Sequence, residues 1–154
     1  MASFVNAGDV VAAAVEIEKR GHDFYEKARN GAKDLEVKDF FAFMAGEEQK
    51  HEAIFRAMLT RIGGLELPEG ATSDEYLSYV QASLDSHLLF TGEVPEKIAD
   101  PFPLALRFEK DTIFYFLALM ELVPDSEKKY VQQCIDEEKK HIVMLSKKRQ
   151  EFKA

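Results

Sequence analysis

A short sequence word occurs twice in this chain. Glu47-Glu48-Gln49-Lys50-His51 returns as Glu137-Glu138-Lys139-Lys140-His141. Each copy sets a glutamate three residues before a histidine, a spacing that puts both side chains on one face of a helix. Glu18 stands 30 residues before Glu48, and Glu109 stands 29 residues before Glu138. One single-glutamate helix and one Glu-x-x-His helix per half make up the donor set with which a four-helix bundle holds two metal ions in its core.

Around these residues the apolar positions advance by alternating steps of three and four in four segments. The first carries Val11, Ala14, Glu18, Gly21, Tyr25 and Ala28, and the second Phe41, Met44, Glu48, His51, Phe55, Met58 and Ile62. The third carries Phe102, Ala105, Glu109, Thr112, Phe116, Leu119 and Val123, and the fourth Val131, Cys134, Glu138, His141 and Leu145. Glu18, Glu48, Glu109 and Glu138 therefore fall on apolar seams, whereas Glu26, Glu36, Glu52 and Glu127 fall off them. Glu47 and Glu137, four residues before the histidines, also turn off the seam, which favours Glu48 and Glu138. A single Glu-x-x-His carries little weight, because acidic helices produce it by chance. Two copies, each preceded by a seam glutamate, carry much more.

Charge explains why the set belongs together. A carboxylate buried without a partner costs several kcal/mol, so four on one core need neutralising. Two divalent cations balance four glutamates while the histidines bind as neutral imidazole. Mixed carboxylate and imidazole donors suit iron or manganese better than a thiolate-seeking metal.

The remaining punctuation fits four rods. Asn30-Gly31 and Gly63-Gly64 read as left-handed caps closing the first two helices. Pro101 and Pro103 open the third, and Pro124 separates it from the fourth, with Asp125 or Ser126 as the new cap. Short loops make the first and second helices, and the third and fourth, antiparallel neighbours. The stretch 63–100 holds Pro68, Gly70, Gly92 and Pro95 around a predicted helix over 74–90, with Thr72 and Glu75 as its capping box. A connection this long returns the chain along the bundle, so the third helix runs parallel to the second. Residues 16–51 and 107–141 align with an offset of 90 or 91, which describes a duplicated hairpin with a pseudo-two-fold axis.

Composition sets the outer bounds. The 154 residues suit one domain, 1–154, and 46% hydrophobic residues supply its core. With 28 acidic against 20 basic side chains the formal charge is −8, which argues against nucleic acid as a partner and mildly favours cations. Cys134 is the one cysteine, so neither an intramolecular disulfide nor a Cys-x-x-Cys metal site can form. That usage fits a reducing compartment. The first 15 residues show neither a basic stretch nor a cleavage signal. The longest nearly apolar run, 113–120, is too short to span a bilayer. A cytoplasmic protein without membrane contact is expected.

The chain resembles the rubrerythrin-like branch of the ferritin-like superfamily over about residues 8–150. The resemblance is carried by Ala14-Val15-Glu16-Ile17-Glu18-Lys19-Arg20-Gly21 with Phe24-Tyr25, by Met44-Ala45-Gly46-Glu47-Glu48-Gln49-Lys50-His51, by Phe108-Glu109-Lys110-Asp111, and by Glu137-Glu138-Lys139-Lys140-His141. It implies an all-α, ferritin-like four-helix bundle with one long crossover connection containing a short extra helix. It also implies two iron ions, with manganese possible, bridged by Glu48 and Glu138. Glu18 and His51 would belong to one ion, Glu109 and His141 to the other. The chain departs from the family pattern in three places. Rubrerythrins usually carry two glutamates three apart on the third helix, whereas Leu106 and Thr112 flank Glu109 at that spacing. The rubredoxin-like four-cysteine module is missing, so electrons would come from a separate protein such as a rubredoxin. Gln49 stands where bacterioferritins place a haem-binding methionine, so no haem is expected.

Several neighbours of the seam invite a role. Tyr25 lies two turns after Glu18, where ferritin-like proteins often carry tyrosine; its hydroxyl can reach a ligand carboxylate or donate an electron, or can simply be a satisfied core aromatic. Gly21 and Thr112 match in the two halves and leave room above the metals. Cys134 reads as a small buried hydrophobe, His22 as a flanking or surface residue, and His87 as structural. The runs Phe40-Phe41-Phe43 and Phe114-Tyr115-Phe116 exceed what one stripe needs, so part of them is expected in a homodimer interface. Lys147-Lys148-Arg149 complements the dipole at a helix C-terminus. Three functions compete. The first is two-electron reduction of hydrogen peroxide or oxygen, the second ferritin-type ferrous oxidation for storage or detoxification, and the third a non-enzymatic helical interaction protein whose seam residues only set register.

Overall fold

The computed structural model describes residues 4–68 and 73–153. Its helices are α1 (Ala7–Gly31), α2 (Leu35–Ile62), α3 (Asp74–Asp85), α4 (Pro101–Met120) and α5 (Lys128–Lys153), with 3-10 turns at Leu88–Phe90 and Asp125–Glu127 and no strand among the described residues. Asn6 and Asp9 open α1 with a reciprocal capping box, each side chain holding the other's backbone N–H at 3.0 Å. Asp100 caps α4 on Phe102 N ahead of the prolines of its first turn. Gly63 closes α2 with φ +47°. Gly8 lets α1 approach it closely, since a Cβ on Gly8 would collide with Gly63 O.

Packing at the two ends gives the topology. Val10 and Val11 of α1 cluster with Phe55 and Met58 near the end of α2 and with Tyr115, Phe116 and Leu119 near the end of α4. The Tyr115 hydroxyl donates to Val10 O at 2.8 Å. At the other end Phe24 and Tyr25 meet Phe41 and Met44 of α2, Phe102 and Phe108 of α4, and Leu145 of α5. Thus α1 runs antiparallel to both α2 and α4, α2 and α4 are parallel, and α5 returns antiparallel to α4. The part of the connection from Ser73 onward makes this possible by descending along α4. Tyr76 donates to Ala118 O at 2.7 Å, Leu88 N to Asp111 Oδ2 at 2.9 Å, and Arg20 to Leu89 O at 3.0 Å. This is the single-crossover bundle expected from the spacing of the motifs. Among the described residues no helix is long and apolar enough to cross a membrane.

Local expectations are corrected in four places. Gly31 is the last residue of α1 and has no positive φ; the helix closes because Ala32 N–H bonds Ala28 O and Arg29 O while Ala32 turns extended. The predicted 74–90 helix stops at Ser86, whose hydroxyl caps Ala82 O, and His87 resumes the chain as an extended residue before a 3-10 turn. The cap of α3 is Ser73, accepting from Tyr76 N; Thr72 lies outside the described residues. Finally, no side chain caps the turn at Asp125–Glu127, and Glu127 is buried rather than off the core. The 3-10 turn aims Glu127 at the end of α2, where Arg61 donates to its two oxygens at 2.7 and 2.9 Å.

Candidate metal centre

Between the two apolar clusters lies a polar layer. Glu18 from α1, Glu48 and His51 from α2, Glu109 from α4, and Glu138 and His141 from α5 meet there, all buried. They converge because each seam glutamate stands midway along its helix, flanked by core residues: Ala14 and Gly21, Ala105 and Thr112, Met44 and Cys134 a turn away, and Phe55 and Leu145 two turns on. His51 Nδ1 lies 2.7 Å from Glu138 Oε1 and 3.6 Å from Glu18 Oε1; His141 Nδ1 lies 3.0 Å from Glu138 Oε2 and 3.6 Å from Glu109 Oε1. The two imidazole rings stack with centroids 5.6 Å apart. Two overlapping groups result, Glu18–Glu48–His51–Glu138 and Glu48–Glu109–Glu138–His141, each offering four donor atoms within 4.8 Å of one another. Glu48 and Glu138 are common to both.

The electrostatics explain what the cluster can hold. Burial first, then the charges of the neighbouring carboxylates, pushes Glu18 and Glu48 well above the ordinary carboxyl range. Burial and Glu138 push Glu109 up to about 8. Glu138 goes the other way: burial opposes ionisation, but hydrogen bonds from Glu109, His141 and His51 hold it well below its ordinary value. Burial works against charge on the histidines too, yet Glu138 holds His51 up at about 10, and Glu109 with Glu138 holds His141 at about 11. Among the described residues, neither oxygen of Glu18 nor Oε2 of Glu109 meets an N–H or O–H donor. Buried carboxylate oxygens without donors, converging with imidazole nitrogens, are the donor chemistry of divalent iron or manganese. The residues fit a pair of such ions.

Surrounding side chains complete the layer. The Tyr25 hydroxyl crosses the bundle and donates to Glu109 Oε1 at 2.5 Å. Gly21 lies against Glu48, where a Cβ would come into van der Waals contact with that side chain at 3.4 Å from Cδ. Cys134 is buried, and burial together with the carboxylates pushes its thiol up, which keeps it protonated. His22 bonds Ala45 O at 3.0 Å and ties α1 to α2 away from the centre. Sequence reasoning set Glu137 aside as a ligand and missed its contact with His51. It turns off the seam of its own helix but reaches His51 Nε2 across the bundle at 2.5 Å; Glu47 faces His141 Nε2 in the same sense at 3.9 Å. The signal was present in the doubled glutamate of each repeat, since a residue four before a histidine on one helix faces the histidine of its pseudo-symmetric mate.

A bundle with one crossover and four glutamates and two histidines turned inward defines a ferritin-like di-metal carboxylate protein. The family model described as rubrerythrin matches residues 9–149, and the chain belongs to that family. A crystal structure described as that of a ferritin-like diiron-carboxylate protein from Thermotoga maritima superposes with a TM-score of 0.68. It is 24% identical over 98% of this chain and 99% of that one, and at that identity the likeness concerns the fold. No curated protein sequence matches the chain.

Proposed function

We propose that the protein is a di-iron oxidoreductase that reduces hydrogen peroxide by two electrons. The observation that carries this reading is the pair of overlapping donor groups sharing Glu48 and Glu138. Glu18 and His51 would complete one iron position and Glu109 and His141 the other, with manganese compatible with the same donors. An iron pair held by these residues would supply the two electrons that reduction of the O–O bond needs, with two protons taken up and two waters formed. The chain's own residues supply the setting. Tyr25 holds Glu109 in place and Glu137 orients the His51 ring. The apolar clusters above and below keep bulk water from the layer. Electrons return from a separate donor protein such as a rubredoxin, in the cytoplasm. A second copy of the chain would cover the exposed Phe43 of α2. Rapid mixing of the ferrous-loaded protein with one equivalent of peroxide tests the reading. Absorbance of the oxidised centre should rise with one peroxide consumed per two irons, and no change would refute it.

One observation favours a second reading. Leu106 and Thr112 replace the second glutamate expected three residues from Glu109, leaving the six-donor set that ferritins share. On that reading the centre oxidises ferrous iron with oxygen for storage or detoxification. Light scattering separates the two, because storage needs a particle of many subunits and a dimer excludes it.

A further inference from the structure

His87 is fully buried on the crossover and has no part in the reading above. Leu89 N–H donates to its Nδ1 at 3.2 Å, so the ring proton lies on Nε2, and Nε2–H donates to Thr112 Oγ1 at 2.8 Å. The Thr112 hydroxyl donates in turn to Phe108 O at 2.8 Å. With one ring nitrogen accepting and the other protonated, His87 offers no lone pair to a cation. Burial and the charges of Arg20 and Arg107 push it down to about 3, so it is neutral and is no proton reservoir either. Its remaining property is where it stands. A cavity of about 210 Å³ between α3 and α4 is lined by Ser83, Ser86, Asp111 and Phe114. On both elements the residue after a lining residue turns inward: His87 follows Ser86, and Thr112 follows Asp111. Ser83 presents a buried hydroxyl with no hydrogen-bond partner among the described residues. On the inner side, Thr112 follows Glu109 by one turn of α4 and both are buried, so the pair lies on the face of α4 that carries the metal centre.

We propose that the His87–Thr112 pair is a plug separating this cavity from the metal centre, and that a divalent cation reaches the centre from the cavity when the pair parts. Within a wall that also carries Tyr79, Ala82 and Phe114, the Ser83 hydroxyl and the Asp111 carboxylate supply the oxygens that can replace part of the water shell of a hard cation. The inference rests on the proposed metal centre. It is tested by stopped-flow uptake of cobalt(II) into the metal-free protein, followed by visible absorbance, and by release to a chelator. His87→Ala should take up and release cobalt roughly tenfold faster, the change that loss of one buried hydrogen bond of ordinary strength implies for an opening equilibrium, with two ions still bound at saturation. His87→Gln, which refills the space and again donates to Thr112, should stay near the wild-type rate. Tyr76→Phe loosens α3 from α4 by removing the bond to Ala118 O and should not accelerate uptake. If His87→Ala fails to fold, Thr112→Ala opens the same gap from α4. Two bound cobalt ions with an unchanged uptake rate in the plug variant would overturn the plug and leave the centre standing. Equal acceleration by Tyr76→Phe would overturn it in favour of a lifting crossover. A wild-type protein that binds no cobalt would remove the centre itself and the plug with it.

Discussion

Loading the metal-free centre with two divalent cations at pH 7 should release at least three protons. Glu109, pushed up to about 8, holds its carboxyl proton at neutral pH, and burial moves Glu18 and Glu48 in the same direction. His51 at about 10 and His141 at about 11 each hold one more, while Glu138 and Glu137 are held below the ordinary carboxyl range. Protons thus do in the metal-free protein part of what cations would do in the loaded one. Ligation needs carboxylates and neutral imidazole, so each of these protons must leave. Titration calorimetry in buffers of different protonation enthalpy measures the number directly. Above pH 8 it should fall by one as Glu109 ionises, and it should fall again as the histidines pass about 10 and 11. The same shifts fix the sign of the stability profile. Glu109 loses its proton near 4.5 when unfolded and near 8 when folded, so its contribution is full below 4.5 and disappears as pH rises through 8. Glu18 and Glu48 act in the same direction. The metal-free protein should therefore weaken between pH 5 and 8, whereas the loaded protein should not. Release of one proton or none would refute this account of how the layer is neutralised.

Other perturbations separate the roles of individual residues. Glu48→Ala and Glu138→Ala should each abolish binding of the second ion and the rise in melting temperature that added ferrous ion gives the wild type, as read by thermal melts with and without metal. Glu137→Gln should weaken metal binding by roughly 10- to 100-fold through the His51 ring. Glu47→Gln should do less, because Glu47 stands 3.9 Å from its histidine, and competition with a chelator compares the two. Tyr25→Phe should destabilise the metal-free protein by about 1–3 kcal/mol in denaturant unfolding, since it strips Glu109 of a buried donor.

Much of the centre could be read from the repeat. Glu18, Glu48, His51, Glu109, Glu138 and His141 each lie on an apolar seam, and helical periodicity alone predicts that such residues meet once the rods pack. The single-crossover topology was legible for a similar reason: the length of 63–100 leaves few other ways to return the chain. What periodicity could not convey depends on contacts between elements. Glu127 is buried because a 3-10 turn aims it at Arg61, 66 residues away in sequence. His87 bonds Thr112 from the crossover, a contact that nothing near either residue in sequence shows. Glu137 is off its own seam, and only the opposite helix gives it a partner. Gly31 has the composition of a left-handed cap, but the bonds of Ala32 N–H close the helix without one.

The most direct test of the central claim is anomalous scattering from crystals of the protein loaded with ferrous iron. The account predicts two peaks about 3.5–4 Å apart, lying between Glu48 and Glu138, one beside Glu18 and His51 and the other beside Glu109 and His141. A single peak, or peaks only outside the helical bundle, would contradict it.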